Sequence, residues 1–102
     1  MKAITAKFGG SSLADTACFR HVADIVNQNK ARQYIVVSAP GKRGGKDHKI
    51  TDMLLMCYQL ASHQLRFEDV FAIIRGRFEE IHQGLSLKQD LKATLDDIEQ
   101  RI

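Results

Sequence analysis

Two short apolar segments on either side of one helical repeat constrain the fold more than any other feature. Residues 3–8 (AITAKF) have the length and composition of a strand. Residues 33–38 (QYIVVS) are continuously apolar at their centre, which is typical of a strand covered on both faces. Between them, apolar side chains recur with helical spacing up to about Lys30, and the simplest connection is a right-handed parallel βαβ unit. The members of the helical face are Phe19, Val22, Ala23 and Val26.

The second half of the chain carries helical patterns only. Gly84 is expected at the C′ position that ends one helix, and Ser86 with Gln89 predicts a capping box for the next. Ser12 with Asp15 likewise predicts the start of the helix that follows the first strand. Three apolar faces are expected after the two strands: Ile50, Met53, Leu54, Cys57, Leu60 and Ala61; Phe67, Val70, Phe71, Ile74, Phe78 and Ile81; Leu87, Leu91, Leu95, Ile98 and Ile102.

These elements predict an α/β fold of the three-layer α/β/α type, in which a short parallel sheet is followed by a helical segment. At 102 residues the chain is long enough for one domain with one core. Two strands against four helices would leave open sheet edges, and the last apolar stripe runs to Ile102. We therefore expect residues 1–102 to be part of a larger fold.

Charge and cysteine content narrow the class of protein. A formal net charge of +3 is too small to indicate nucleic-acid binding, and the cations clustered between Lys42 and Lys49 favour local anion binding. Cys18 and Cys57 lie in helical apolar patterns without a CxxC partner, so we expect small buried side chains rather than a disulfide or a metal site. The sequence shows no signal peptide and no apolar run of ~18 residues. We expect a cytoplasmic protein.

Residues 7–12 (KFGGSS) end the first strand with a lysine, two glycines and two hydroxyls. Glycines let a ligand approach backbone N–H groups near a helix start, and the lysine adds a full charge. Ligands bind at the carboxyl ends of strands in open α/β sheets, so this segment predicts a phosphate site. The alternative is a tight turn with a solvent-facing lysine. Neither GxxxxGK[ST] nor GxGxxG occurs, so a phosphate site here belongs to another class.

A second glycine-rich loop, residues 39–49 (APGKRGGKDHK), follows the second strand. In a parallel pair this loop opens on the same edge of the sheet as KFGGSS. Ser38, Thr51 and several cations are thereby expected near the first loop. The alternatives are that Thr51 caps the next helix and that the cations belong to a solvated loop. These cations are Lys42, Arg43, Lys46 and Lys49.

Three motifs carry a family resemblance. KFGGSS at residues 7–12, VVSAPGKR at 36–43 and KITDMLL at 49–55 resemble the amino-terminal part of aspartate kinases, members of the amino acid kinase family. The resemblance extends over essentially the whole chain. It implies that residues 1–102 are the N-terminal part of a kinase catalytic domain. The implied reaction transfers a phosphoryl group from ATP to the side-chain carboxylate of L-aspartate, giving 4-phospho-L-aspartate on the route to lysine, threonine and methionine.

The resemblance also implies a role for each matching residue. Lys7 is implied to be catalytic, because it binds the phosphate and stabilises the charge on the transferring group. Magnesium would arrive with the nucleotide, so no metal site of the chain's own is implied. The other residues of the phosphate- and ATP-binding segment, of which the glycines supply backbone N–H groups, are Gly9, Gly10, Ser11 and Ser12. The positions that help to hold aspartate are matched by Ser38, Ala39 and Thr51.

Other parts of the family's site find no match in the sequence. These are the glutamate that anchors the substrate amino group, a second glycine-rich segment, the adenine pocket and the regulatory domains. We expect the segment alone to be inactive and the complete enzyme to be a homo-oligomer with no nucleic-acid or membrane partner. Two alternatives stay open: an amino acid kinase that acts on acetylglutamate, glutamate or a nucleoside monophosphate, and a non-catalytic assembly module.

Overall fold

The computed structural model describes residues 2–102. The chain divides into two compact units, the first ending at Lys49 and the second spanning Ile50–Ile102. The first unit contains β1 (Ile4–Phe8), α1 (Thr16–Asn27) and β2 (Arg32–Val37). The second contains α2 (Ile50–Ser62), α3 (Glu68–Gly84) and α4 (Leu91–Arg101). The single larger domain expected from the sequence stays a prediction.

The two strands pair in parallel, which confirms the βαβ connection predicted from the sequence. Lys7 lies opposite Val36 and Phe8 opposite Val37, with one irregularity of register after Ile4. The strands begin and end within one residue of their predicted bounds. The register therefore brings the carboxyl ends of β1 and β2 level with each other.

The start of α1 differs from the prediction. The sequence places the N-cap at Ser12, but residues 10–13 form a short 3₁₀ helix (Gly10–Leu13) and α1 begins only at Thr16. Asp15 is the N-cap, and its carboxylate accepts a 2.9 Å hydrogen bond from the N–H of Cys18. Both serine and aspartate make good caps, so composition alone could not choose between them.

The core of the first unit lies between β1 and α1. Phe8, Leu13 and Val22 form a buried cluster. Ala23, which the sequence assigns to the same helical face, is exposed. The half-buried apolar residues packed against the cluster are Ala6, Phe19, Ile25 and Val26.

The expectation that β2 is covered on both faces is wrong for residues 2–102. Tyr34, Val36 and Val37 are 61%, 49% and 58% exposed. Within these residues the sheet has only two strands, and the buried cluster forms around Phe8 of β1, so little of β2 is covered. The continuous apolar run predicts the strand correctly, but it does not predict how far the two faces of the strand are buried.

In the second unit, α3 packs against both α2 and α4. Arg75 of α3 donates a 2.8 Å hydrogen bond to Asp96 of α4 and lies 3.5 Å from the carboxylate of Glu99. The guanidinium also lies 5.5 Å from the centre of the Phe71 ring. The residues buried in this unit are Ile50, Met53, Cys57, Phe71, Ile74, Arg77, Ile81 and Leu95.

Both predicted signals at the end of α3 and the start of α4 are wrong in detail. Gly84 is the last residue of α3, and the left-handed conformation after it belongs to Ser86, with φ of 52°. The N-cap of α4 is Asp90, which accepts a 3.0 Å hydrogen bond from the N–H of Ala93. Ser86 therefore forms part of the turn between α3 and α4 and does not cap α4.

The two cysteines are free, and Cys57 is buried while Cys18 is half-buried. Burial raises the pKa of the Cys57 thiol. No helix among residues 2–102 combines the length and the apolar character needed to cross a membrane.

Candidate functional site

Lys7 lies at the carboxyl end of β1, one residue before the strand ends. Side chains alternate between the two faces of a strand, so Phe8 points to the core while Lys7 points away from it. The burial agrees, since Phe8 is buried and Lys7 is exposed. The strand thus anchors the backbone beside Lys7 and leaves its ammonium group accessible to a ligand.

The glycine turn reverses the chain directly after β1. Gly9 has an extended backbone, with φ of −76° and ψ of 174°, and its carbonyl accepts a 3.1 Å hydrogen bond from the N–H of Ser12. Leu13, at the end of the same 3₁₀ helix, is 2% exposed and packs in the core. Ser11 and Ser12 are exposed. The turn is therefore fastened by Phe8 and Leu13 at its two ends, while its polar residues face outward.

The structure brings the two glycine-rich loops together. The N–H of Ser38 donates a 3.1 Å hydrogen bond to the carbonyl of Phe8, which continues the strand pairing past β2. Three residues later, the N–H of Gly41 donates a 2.8 Å hydrogen bond to the carbonyl of Gly10. The backbone of Ser38 is therefore fixed beside the end of β1, and the loop that follows it is fixed on the glycine turn.

The glycines of the first loop differ in their surroundings. A Cβ on Gly9 would meet no atom within 4 Å, whereas a Cβ on Gly10 would lie 3.1 Å from the carbonyl oxygen of Ala39. Neither glycine has a positive φ. A side chain at Gly10 would therefore press on the backbone of the second loop, which would have to shift by a few tenths of an ångström. Nothing in the described residues requires glycine at position 9, where the space beside the backbone is open to a ligand.

Opposite charges organise the second loop. The carboxylate of Asp47 accepts hydrogen bonds from the backbone N–H of Arg43 at 2.8 Å and from its guanidinium at 2.8 and 3.1 Å. The N–H of Asp47 in turn donates to the carbonyl of Gly44 at 3.1 Å. Arg43 is therefore engaged within its own loop. The loop cations without such a bidentate partner among the described contacts are Lys42, Lys46 and Lys49.

The electrostatics around the turn favour a negative charge at the N-cap of α1. Hydrogen bonding from the backbone N–H of Cys18 is the main cause that holds the pKa of Asp15 below its usual value, and the positive charge of Arg43 contributes to a smaller extent. Arg43 of the second loop therefore makes a small favourable contribution at the start of α1.

Thr51 belongs to the second unit, where it is exposed in the first turn of α2. The helix begins at Ile50, so Thr51 is not the N-cap that the alternative interpretation assigned to it. The other predicted site residues all lie in the first unit, and the structure groups them around the ends of β1 and β2. They are Lys7, Gly9, Gly10, Ser11, Ser12, Ser38 and Ala39.

Sequence reasoning missed two residues of this arrangement. Gly41 donates a hydrogen bond to the glycine turn and Asp47 pairs with Arg43, although the sequence predicts only a glycine-rich loop at both positions. The sequence does contain a signal for the second, because an arginine and an aspartate four residues apart can pair within one turn. In residues 2–102, histidine, cysteine, aspartate and glutamate side chains form no group of three that could hold a metal ion.

Comparisons with known proteins agree with the resemblance drawn from the motifs. No protein-family profile matches the chain. Aspartokinase 3 of Bacillus subtilis (strain 168) is 53% identical over 51 residues, which are 50% of this chain and 11% of that protein. The crystal structure of Clostridium acetobutylicum aspartate kinase, described as an allosteric enzyme, superposes with a TM-score of 0.95 at 41% identity. This superposition covers 98% of the chain described here and 23% of that enzyme.

The two comparisons confirm the resemblance to aspartate kinases and the α/β fold class. The matched structure is also 41% identical in sequence, so the two chains are alike in sequence as well as in fold. The chain spans less than a quarter of the length of either relative.

Proposed function

We propose that this chain, an aspartate kinase segment by sequence and by fold, forms the phosphate-binding part of an enzyme that phosphorylates the side-chain carboxylate of L-aspartate with ATP. In this proposal Lys7 is the catalytic residue and binds the transferring phosphoryl group. The backbone N–H groups of Gly9 and Gly10 bind the same group, and the hydroxyls of Ser11 and Ser12 lie beside it. Substrate binding is assigned to Ser38, Ala39 and Thr51.

The chemistry fits a site built in this way. A carboxylate with a pKa of about 4 is already ionised at neutral pH, so the acceptor needs no general base. Phosphoryl transfer depends instead on alignment and on neutralising the charge that develops on the phosphoryl oxygens. In this proposal the exposed Lys7 supplies a positive charge, and the turn supplies backbone N–H groups. Mg²⁺ bound to the nucleotide would neutralise further charge.

One observation carries the proposal more than any other. The exposed Lys7 at the carboxyl end of β1 is followed two residues later by Gly9, whose side-chain position is open, and the loop after β2 is hydrogen-bonded onto the same turn. The turn itself would tolerate a side chain at Gly9, because a Cβ there would meet no atom within 4 Å. Glycine at this position is therefore explained better by a ligand that approaches the backbone than by the turn. This arrangement occurs in a chain that superposes on an aspartate kinase with a TM-score of 0.95.

The rest of the proposed enzyme follows from the same resemblance. ATP with Mg²⁺ and L-aspartate are its proposed ligands, and a homo-oligomer is its proposed assembly. Residues 2–102 supply the phosphate turn and part of the aspartate site in this proposal, and we expect them not to turn over substrate alone. The cytoplasmic location and the role in lysine and threonine biosynthesis are proposed on the same basis.

A segment exchange tests the proposal. Residues 2–102 would replace the matching residues of the C. acetobutylicum aspartate kinase, since the two backbones superpose closely. We expect the chimera to phosphorylate aspartate with ATP. Lys7→Ala should abolish turnover, and Lys30→Ala should not, because Lys30 is an exposed lysine in the turn between α1 and β2.

The outcomes are distinct if circular dichroism and thermal unfolding are recorded for every variant. A folded chimera that does not phosphorylate aspartate would contradict the proposed function. Substantial activity in a folded Lys7→Ala chimera would instead contradict the role of Lys7. Turnover of acetylglutamate rather than aspartate would favour another amino acid kinase.

A further inference from the structure

Gly41 packs on one particular peptide group of the glycine turn. A Cβ at position 41 would lie 2.7 Å from the carbonyl carbon of Gly10, 2.9 Å from its oxygen and 3.1 Å from the nitrogen of Ser11. These three atoms belong to the single peptide plane between Gly10 and Ser11. The N–H of Gly41 also donates its 2.8 Å hydrogen bond to the oxygen of this plane.

A side chain at position 41 would therefore displace backbone. Separations below 3.0 Å are not found for real Cβ atoms, and the neighbours here are main-chain atoms rather than the flexible end of a side chain. Gly41 has no positive φ, so its backbone conformation does not require glycine. The requirement comes from contact with the Gly10–Ser11 peptide.

The hydrogen bond also fixes a direction. In a trans peptide the N–H and C=O groups point to opposite sides of the plane. Because the carbonyl of Gly10 is held towards Gly41, the N–H of Ser11 is held pointing away from the second loop. Ser11 lies in the first turn of the 3₁₀ helix, where N–H groups have no acceptor within the helix.

We infer that Gly41 is a positioning residue, which holds the Gly10–Ser11 peptide so that the Ser11 N–H is a preset donor to a phosphate oxygen. That the Ser11 N–H binds a phosphate oxygen rests on the proposed function. The position of the Gly10–Ser11 peptide does not depend on that proposal. Gly41 itself is not proposed to touch the ligand. Its two effects are to exclude a side chain from the face of the peptide and to hold its carbonyl.

The test uses NMR of the 102-residue chain labelled with ¹⁵N, with inorganic tripolyphosphate as the probe. Gly41→Ala should move the Ser11 amide resonance more than any amide outside the two loops. It should also weaken tripolyphosphate binding about tenfold or more, the order expected for one hydrogen bond to a charged group. Gly44→Ala is the matched control, since a Cβ there would meet nothing within 4 Å.

The inference is overturned if Gly41→Ala, folded by the same spectra, leaves the Ser11 amide and the affinity as in Gly44→Ala. If the unsubstituted chain does not bind tripolyphosphate while Gly41→Ala still displaces the Ser11 amide, the peptide position is supported and the phosphate function fails. Unchanged affinity with a displaced amide overturns the donor role of Ser11.

A measurement on the unsubstituted chain covers the case in which Gly41→Ala does not fold. The amide hydrogen of Gly41 should exchange with solvent more slowly than those of Gly44 and Gly45 in the same loop. Exchange of Gly41 as fast as that of Gly45 would show that its hydrogen bond to Gly10 is not formed, and it would overturn the inference.

Discussion

The carboxylate of Asp15 accepts a 2.9 Å hydrogen bond from the backbone N–H of Cys18, three residues later. This bond satisfies one of the N–H groups that the first turn of α1 leaves without an intrahelical partner. We predict that Asp15→Ala lowers the free energy of unfolding by about 1 kcal/mol, the usual contribution of an N-cap. Urea unfolding at neutral pH would measure the loss, with Asp24→Ala, an exposed aspartate in the last turn of the same helix, as the control.

The same cap should depend on pH in a definite direction. The pKa of Asp15 is lowered in the folded chain, chiefly by the N–H of Cys18, so folding favours the ionised form. The stabilisation by the carboxylate is therefore fully present above the unfolded pKa of about 4 and is lost as pH falls through the lower folded value. The stability difference between the unsubstituted chain and Asp15→Ala should shrink over that acid range. A difference that grew on acidification would contradict the assignment.

The N-cap of α4 can be tested directly, because the sequence predicts Ser86 as the cap and the structure has Asp90. Asp90→Ala should cost about 1 kcal/mol, because its carboxylate accepts a hydrogen bond from the N–H of Ala93. Ser86→Gly should not lower stability, because Ser86 has a φ of 52°, which glycine adopts without strain. The capping box predicted from the sequence requires the opposite ranking, and thermal unfolding of the two variants would decide between them.

Two adjacent isoleucines in α3 test how the second unit is packed. Ile74 is 2% exposed and Ile73 is 54% exposed. Ile74→Ala should destabilise the fold by roughly 2–5 kcal/mol, because it removes buried methyl groups and leaves a cavity. Ile73→Ala should change stability by less than about 0.5 kcal/mol. Since both substitutions have the same helix propensity, equal effects in chemical unfolding would show that this face of α3 is not buried as described.

The cysteines should differ in their reactivity. The Cys57 side chain is fully buried and its pKa is raised by that burial, whereas Cys18 is half-buried. Thiolates are the reactive form, so a thiol reagent such as DTNB should label Cys18 first and Cys57 only at the rate of local opening. Labelling of Cys18→Ser isolates the second thiol. Rapid labelling of this variant under native conditions would contradict the burial of Cys57.

The sequence predicted the elements better than it predicted their ends. Val22 lies in the core and Phe19 and Val26 pack against it, as their spacing indicated, because hydrophobic periodicity is a property of a whole element. The predictions for Ser12, Gly84 and Ser86 are wrong in detail, because several nearby residues are equally able to cap a helix or to turn the chain. The choice among such residues depends on tertiary packing, which the local sequence does not contain.

The candidate site shows the same division. Residue types and strand order were enough to predict that KFGGSS and the second loop meet at one sheet edge, since a parallel pair places both carboxyl ends there. The contact between Gly10 and Gly41 could not be predicted. It depends on the path of an eleven-residue loop, residues 39–49, in which any of three glycines could have met the turn.

Gly9 offers the sharpest test of ligand binding in the proposed site. Its φ of −76° and ψ of 174° are allowed for alanine, and a Cβ there would meet nothing within 4 Å. Gly9→Ala should therefore leave the stability of the fold within about 0.5 kcal/mol. It should nevertheless lower kcat/KM about tenfold or more in the aspartate kinase chimera, because a methyl group would occupy the space where phosphate approaches the backbone N–H groups.

The matched variant is Gly44→Ala, which adds the same methyl group at an equally open position in the second loop. It should leave both stability and turnover unchanged, so the comparison removes any general effect of replacing glycine. Equal turnover in the two variants would mean that the open space beside Gly9 is not used by the phosphate. Loss of stability in Gly9→Ala alone would mean instead that the fold itself requires glycine at this position.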